Sequence, residues 1–229
     1  MKKKHIVVLS GAGISAESGL KTFRDGDGLW NGYDVYEVAS PIGWNKNPEL
    51  VLDFYNARRK DVAAAQPNAA HIGLAELEKE FDVTIITQNI DDLHERAGST
   101  KVLHLHGEIF LMRSVDDVRK VYEIKGDIKL GDLAPDGAQL RPHIVWFGEE
   151  VPMMEKAARV MQTCDYFVVI GTSLQVYPAA SLLQFAPQAM PKFIIDKKVP
   201  PIHGIHNITV IEQPASAGVA ELKRLLLTV

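Results

Sequence analysis

Residues 6–9, Ile6-Val7-Val8-Leu9, form a β-branched apolar run that closes on Ser10-Gly11-Ala12-Gly13. Such a run ending in glycines reads as a buried strand followed by a tight turn. Five similar runs follow, at residues 83–87, 101–105, 166–170, 193–195 and 208–211. Helical patterns lie between or beside them, at residues 49–62, 69–80, 91–97, 153–161, 179–185 and 217–226. Strands separated by helices predict an α/β fold, with a parallel sheet covered on both faces. The 229 residues suit one main domain with a smaller inserted lobe. Residues 23–47, rich in Gly, Asp, Asn and aromatics, read as a long loop leading into a helical insert. Residues 114–140, charged and rich in Gly and Asp, read as a small hairpin-like module.

Composition excludes several classes. Hydrophobic residues make up 46% and charged residues 24%, so wholesale disorder is ruled out. A net charge of −4 supplies no broad positive field for nucleic acid or an anionic membrane. No run approaches the roughly 20 apolar residues of a membrane span. Met1-Lys2-Lys3-Lys4 resembles the start of a signal peptide, but the apolar run behind it is too short. The single cysteine, Cys164, forms neither an intrachain disulfide nor a thiolate-rich zinc site, and it points to the cytoplasm. Placed at the start of the run at 166–170, it reads as a small core residue.

Gly11-Ala12-Gly13-Ile14-Ser15-Ala16 has the G-x-G-x-x-G/A form after a strand and before an expected helix. Glycines there allow a close backbone approach, with N–H groups turned toward a pyrophosphate. A plain strand-to-helix turn is the other reading. A dehydrogenase would carry an acid at the end of the next strand, and here that region is the loop at 25–34. Thr87-Gln88-Asn89-Ile90-Asp91 follows the second strand, where its amides and carboxylate serve equally as ligand groups or as helix caps. His104-Leu105-His106-Gly107 ends the third. A two-residue spacing puts both imidazoles on one side, and a histidine beside a ligand site is a candidate general base. A His-x-His metal pair lacks an evident third ligand. His71, His94 and His203 are expected at the surface or in caps.

Taken together, Gly11-Ala12-Gly13-Ile14-Ser15-Ala16-Glu17-Ser18-Gly19, Thr22-Phe23-Arg24, residues 87–91, residues 104–107 and Gly171-Thr172-Ser173 resemble the sirtuins, in sirtuin order. Residues 142–149 and 176–178 are similar to that family's peptide-binding segments. The resemblance implies a Rossmann-type domain over residues 1–33, 68–110 and 142–229. The small lobe would take 34–67 and 111–141. It implies NAD-dependent removal of acyl groups from protein lysines, with nicotinamide, free lysine and acyl-ADP-ribose as products. Residues 11–30 would bind NAD, through Gly11, Ala12, Gly13, Ser15, Glu17, Thr22, Phe23, Arg24 and Trp30. Gln88, Asn89, Ile90 and Asp91 would hold the nicotinamide end. Gly171, Thr172 and Ser173 would cradle phosphate or ribose, Asp196 the adenosine ribose, and Ala215 the adenine. His106 would act as general base on a ribose hydroxyl. Val145, Phe147, Gly148 and Val176 would contact the peptide.

Tyr55 and Arg58 lie three apart on one predicted helix and share a face. On an anonymous helix, Arg58-Arg59-Lys60 reads as a solvated run with Tyr55 at the core edge. In a sirtuin the Tyr-x-x-Arg pair resembles the class III pattern. It implies a clamp for the carboxylate of succinyl-, malonyl- or glutaryl-lysine, with acetyl also removed. Most sirtuins carry two cysteine pairs for a structural zinc before the segment at 142–149. This chain has none there, and Ser114 stands near the first expected position. No zinc is expected, and Val118, Val121, Tyr122, Ile124 and Ile128 would hold the module by packing. A monomer is expected. NAD glycohydrolase or ADP-ribosyl transfer, an idle NAD or ADP-ribose sensor, and an oxidoreductase are the alternatives.

Overall fold

The computed structural model describes residues 2–22, 29–30, 32–174, 176–199 and 204–227. Phe23, Arg24 and His203 lie outside the described residues. In chain order the strands are β1 (His5–Ser10), β2 (Leu29–Trp30), β3 (Tyr33–Asp34), β4 (Asp82–Thr87), β5 (Val102–His104) and β6 (Gly107–Ser114). They continue with β7 (Val121–Glu123), β8 (Leu140–Ile144), β9 (Tyr166–Ile170), β10 (Lys192–Asp196) and β11 (Ile208–Glu212). The helices are α1 (Val35–Val38), α2 (Pro41–Lys46), α3 (Pro48–Ala64) and α4 (Ala69–Glu76), then α5 (Leu93–Arg96), α6 (Met154–Met161), α7 (Leu182–Phe185) and α8 (Ala215–Leu227).

Six parallel strands form one sheet in the order β11-β10-β9-β1-β4-β5. This is the doubly wound order, whose direction reverses between β1 and β9. Ser10 closes β1 between Thr87 of β4 and Ile170 of β9. The β1 run reads as continuously apolar because both its faces are covered. Ile6 and Val8 pack with Leu74 of α4 and Val219 of α8. Val7 and Leu9 pack with Ala157 of α6 and Leu182 of α7 on the other face. Among the described residues, no helix is long and apolar enough to cross a membrane.

The glycine turn does not open a regular helix. It continues as two short 3₁₀ turns, Ala12–Ile14 and Ala16–Ser18, which end at Gly19 with φ of 84°. The carbonyl of Ile14, which an α-helix would bond to Ser18, instead accepts from Asn68 Nδ2 at 2.8 Å. The expected helix at 91–97 shortens to the single turn of α5, and that at 69–80 ends at Glu76 before a 3₁₀ turn.

Within the lobe the antiparallel sheet β7-β6-β8 packs on α3. The expected lobe boundaries at 33/34, 110/111 and 141/142 fall within or beside β3, β6 and β8, so strands run across them. Ile128 is buried with Leu52, Ala134 and Leu140, and Tyr122 and Ile124 pack against them. Val118 and Val121 are exposed instead. Val121 alternates with Tyr122 along an edge strand, so only one of the two can face inward. Polar pins supply what packing does not. Asn56 and Ile128 exchange two hydrogen bonds, 2.8 and 2.9 Å. Arg59 Nε donates to the Ile109 carbonyl at 2.9 Å and Nη1 to that of Gly126 at 3.1 Å. The run Arg58-Arg59-Lys60 is therefore not a solvated face: Arg58 and Arg59 are buried, and only Lys60 is exposed.

Ser114 is buried, and its Oγ accepts from the Asp116 amide at 3.2 Å. Asp117, Asp132 and Asp136 each accept a backbone N–H of their own turn. Cys164 is half-buried, donates to the Met161 carbonyl at 3.0 Å, and has its thiol pushed up to about 11 by burial.

Candidate active site

The turns after β1 and β9 interlock. Gly11 N–H donates to the Ile170 carbonyl at 3.0 Å, and Gly13 N–H to that of Gly171 at 2.8 Å. A Cβ on Gly13 would lie 2.7 Å from Gly171 Cα, and one on Gly171 would lie 2.3 Å from Ile14 N. Gly171 also has φ of 62°, a left-handed conformation that favours glycine. These glycines thus serve the approach of two backbones. The N–H groups of Gly11, Gly13, Ile14 and Ser15 all bond within the protein, so they do not turn outward to a pyrophosphate as the sequence suggested.

A cavity of about 380 Å³ opens over this junction, at the carboxyl ends of β1, β4 and β9. It brings together Gly11, Ala12, Gly13, Ser15, Thr22, Trp30, Gln88, Asn89, Ile90, Asp91 and His106. Tyr55, Arg58, Val145, Phe147, Gly148, Gly171, Thr172, Ser173, Val176 and Asp196 share its walls. Two expected residues stand apart. Glu17 is exposed and its carboxylate accepts the Ser216 N–H at 3.1 Å, in the first turn of α8. Ala215, the first residue of that helix, is buried in the core.

Ser15 organises one end of the cavity. Its Oγ accepts from Asn89 Nδ2 at 3.1 Å and donates to Asp91 Oδ2 at 3.1 Å. Asp91 Oδ1 accepts the Leu93 N–H at 3.2 Å. Burial raises the Asp91 carboxyl above its ordinary value, against the pull of the Leu93 and Ser15 bonds. Gln88 Nε2 donates to Thr172 Oγ1 at 3.0 Å, tying the loop after β4 to the turn after β9.

The strand β5 ends at His104, so His106 sits in the following turn rather than on the strand. Both rings still face the loop after β4. His104 is fully engaged, with Nδ1 3.0 Å from the Asn89 carbonyl and Nε2 2.8 Å from Glu95 Oε1. Burial lowers its pKa, but the Glu95 bond and charge raise it overall. His106 Nδ1–H donates to the Gln88 carbonyl at 3.0 Å, which leaves Nε2 as the basic nitrogen. Burial lowers its pKa below the ordinary value, partly offset by the Gln88 bond. A neutral imidazole with a free Nε2 at a cavity wall is equipped to take a proton. Gly107 must be glycine, because a Cβ there would meet the His143 carbonyl at 2.0 Å.

Tyr55 is wholly buried beside Trp146, and its hydroxyl has no acceptor. Burial pushes the phenol well above its ordinary pKa, so it stays a donor. Arg58 Nη2 donates to the Lys21 carbonyl at 3.1 Å, and the guanidinium lies 5.7 Å from the Trp30 ring centre. The segment at 145–149 is held from both sides. Val145 N–H donates to the His106 carbonyl at 2.9 Å, and Phe147 N–H to that of Ala39 at 2.9 Å. Glu149 accepts from Arg141 at 2.8 and 3.1 Å, from Arg113 at 3.4 Å, and from the Trp146 amide at 2.8 Å. Sequence reasoning missed this clamp. The available signal was Arg113 itself, a charge at the end of the apolar run Ile109-Phe110-Leu111-Met112.

The Sir2 family profile matches residues 11–178, which carry the glycine turn, both histidines and the clamp. The chain belongs to the Sir2 family. Among its relatives, an NAD-dependent protein deacylase of Helicobacter pylori is 55% identical over 219 residues, 96% of each chain. A Sir2 homologue mutant solved with ADP-ribose superposes with a TM-score of 0.89 at 39% identity, over 99% of this chain and 93% of that one. A Sir2 homologue solved with NAD gives 0.87 at 40% identity, over 99% and 90%. This sirtuin thus shares the fold of those complexes and has, at the carboxyl ends of β1, β4 and β9, a cavity of a size that admits a nucleotide.

Proposed function

We propose that this sirtuin is an NAD-dependent protein lysine deacylase that removes succinyl and malonyl groups, and acetyl as well. The observation that carries the reading is one cavity holding the Ser15–Asn89–Asp91 cluster, a neutral His106 with Nε2 free, and the Tyr55–Arg58 pair. The residues fit NAD: side chains at Gly11, Gly13 or Gly171 would collapse the turn junction that forms the cavity floor. NAD supplies an electrophilic ribose carbon and a nicotinamide leaving group. Asn89 and Asp91 would hold the carboxamide end, oriented by Ser15. Thr172, Ser173 and Asp196 would hold the remaining ribose and phosphate oxygens. His106 Nε2 would take the proton of a ribose hydroxyl as that oxygen attacks the acyl carbon. Arg58 would place paired donors on the acyl carboxylate, and the Tyr55 hydroxyl, which lacks an acceptor, would supply another.

The lobe is taken to be free of zinc, with Asn56 and Arg59 doing the work of a metal staple. One assay tests the function. Incubate the chain with NAD and matched acetyl-, malonyl-, succinyl- and glutaryl-lysine peptides, and follow nicotinamide and acyl-ADP-ribose by mass spectrometry. The expected outcome is peptide-dependent release of both products, faster for the acidic acyl groups. NAD hydrolysis without peptide, or no turnover at all, would overturn the reading. Metal analysis of protein purified without added zinc tests the lobe, where a stoichiometric zinc refutes this view.

A further inference from the structure

Arg113 of β6 and Arg141 of β8 stand directly opposite one another in the lobe sheet. Each is only 6% exposed. Like charges on facing residues repel, and burial takes away the water that would screen them. Burial lowers both below the ordinary arginine value, yet a guanidinium stays protonated in a protein. One carboxylate answers the two of them. Glu149 accepts from Arg141 at 2.8 and 3.1 Å, whereas Arg113 reaches its two oxygens only at 3.4 Å. Arg113 Nε and Arg141 Nε are buried without a hydrogen-bond partner. Among the described residues, no second carboxylate acts on either guanidinium.

Buried histidines do not alter this count. His71 and His94, which the sequence placed at the surface or in caps, are wholly buried, and burial lowers both until they are neutral at pH 7. His143 of β8 is lowered too, by burial first and then by Arg113 and Arg141. The lobe thus keeps one buried positive charge in excess. That excess lies against a wall of the cavity. The Arg141 guanidinium carbon sits 3.2 Å from the centre of the Trp146 ring. Trp146, Glu149 and Tyr55 line the cavity, and neither lobe arginine does. Burial is the largest influence on the Tyr55 phenol, but of the charges that reach it, Arg141 acts more strongly than Glu149 or Arg58.

We propose that Arg113 and Arg141 determine acyl specificity from behind this wall: their one uncancelled charge attracts the terminal carboxylate of an acidic acyl-lysine. The inference rests on the reading of Tyr55 and Arg58 as the acyl end of the cavity. Arg58 would bond the carboxylate directly, while the lobe pair acts through space. A carboxylate entering there supplies the counter-charge that the protein lacks, and a neutral acyl group does not. Action through space has a signature that packing lacks, because it follows the sign of the charge removed. Loss of a cation weakens the attraction, and loss of the anion strengthens it.

Specificity is read as a ratio of kcat/KM values, that for a succinyl-lysine peptide over that for its uncharged amide of the same length, succinamoyl-lysine. The parent ratio should exceed one. Arg113→Gln should lower it by roughly three- to tenfold, the effect of one charge acting through a medium between protein and water. Arg113→Lys, which keeps the charge, should restore most of the ratio. Glu149→Gln should raise the ratio by a similar factor, even as both peptides turn over more slowly on a loosened segment. A ratio unchanged by Arg113→Gln, or one that falls in both variants, overturns the proposal. Should Arg113→Gln fail to fold, Glu149→Gln decides alone, and a ratio that does not rise counts against the proposal. A second measurement needs no turnover. In protein labelled with ¹⁵N-histidine, His143 should titrate at a higher pH in Arg113→Gln than in the parent, and an unmoved midpoint shows that the excess charge does not reach its neighbours, which also overturns the proposal. A parent ratio of one or below refutes the acidic-acyl reading together with this inference. A parent ratio well above one that Arg113→Gln leaves unchanged refutes this inference alone.

Discussion

The hydroxyl of Ser15 donates to Asp91 Oδ2 at 3.1 Å, and this bond ties the turn after β1 to the loop after β4. The same oxygen accepts from Asn89 Nδ2, so one side chain sets two others. Ser15→Ala would leave a buried carboxylate and a buried amide each short of a partner. The expected result is a loss in kcat/KM for NAD of roughly ten- to a hundredfold, at about 1–3 kcal/mol for an unmet buried group. Initial-rate kinetics at saturating peptide check it, and wild-type kinetics in this variant would show that Ser15 is a spectator.

His106 should set the acid side of the pH profile. Its pKa is lowered by burial, so the neutral, proton-accepting form persists below the ordinary histidine value near 6.5. The acidic limb of kcat/KM should therefore fall below pH 6.5 rather than at or above it. His106→Ala should reduce turnover by about a thousandfold or more while NAD still binds by calorimetry. A limb above pH 6.5, or near-normal turnover in the variant, would remove His106 from the role.

Arg58→Met should cut kcat/KM for succinyl peptide by about a hundredfold, the cost of a charge-assisted pair of hydrogen bonds. Acetyl peptide should change little. Parallel kinetics on the two peptides measure the ratio, and an equal fall in both would assign Arg58 to holding Lys21 and Trp30 rather than the substrate.

Glu149 anchors the segment at 145–149, and its carboxyl is lowered despite burial, because Arg141, the Trp146 amide and Arg113 outweigh desolvation. A depressed carboxyl contributes stability that is present above its unfolded value near 4.5 and lost as pH falls through the folded one. Glu149→Gln should cost about 3 kcal/mol, leaving two buried guanidiniums short of an anion. Urea melts at pH 7 and pH 3 should show the gap between variant and parent shrinking at the lower pH. A gap that widens there would contradict the ion-pair account.

Much of the sheet was legible because strands such as Ile6-Val7-Val8-Leu9 are buried on both faces, and continuous apolar runs follow from that alone. The ligand end was legible too, since glycine and polar residues gather where strands stop. What stayed hidden depends on distant partners. Ile14 cannot announce that its carbonyl will be taken by Asn68, so the turn was read as a helix. His71 and His94 look like ordinary polar residues of a helical pattern until α4 and α5 pack together. Arg58 and Arg59 look solvated until the carbonyls of Lys21 and Ile109 come over α3 and take their donors. Glu17 and Ala215 matched a pattern by position, yet their neighbours turn them to α8 and the core.

β6 begins at Gly107, one residue after His106, and runs to Ser114 inside the lobe sheet. Its first residue has no room for a side chain, because the His143 carbonyl fills the space where one would stand. One strand thus joins the turn that holds the imidazole to the lobe, with an irregularity in its pairing to β8 between Gly107 and Met112. The segment at 145–149, proposed to contact the peptide, hydrogen-bonds back to the same turn through Val145 N–H and the His106 carbonyl. On the proposed roles, the surface that seats the substrate and the turn that carries the base share one backbone connection, so changes out on the lobe should be felt in turnover as well as in affinity.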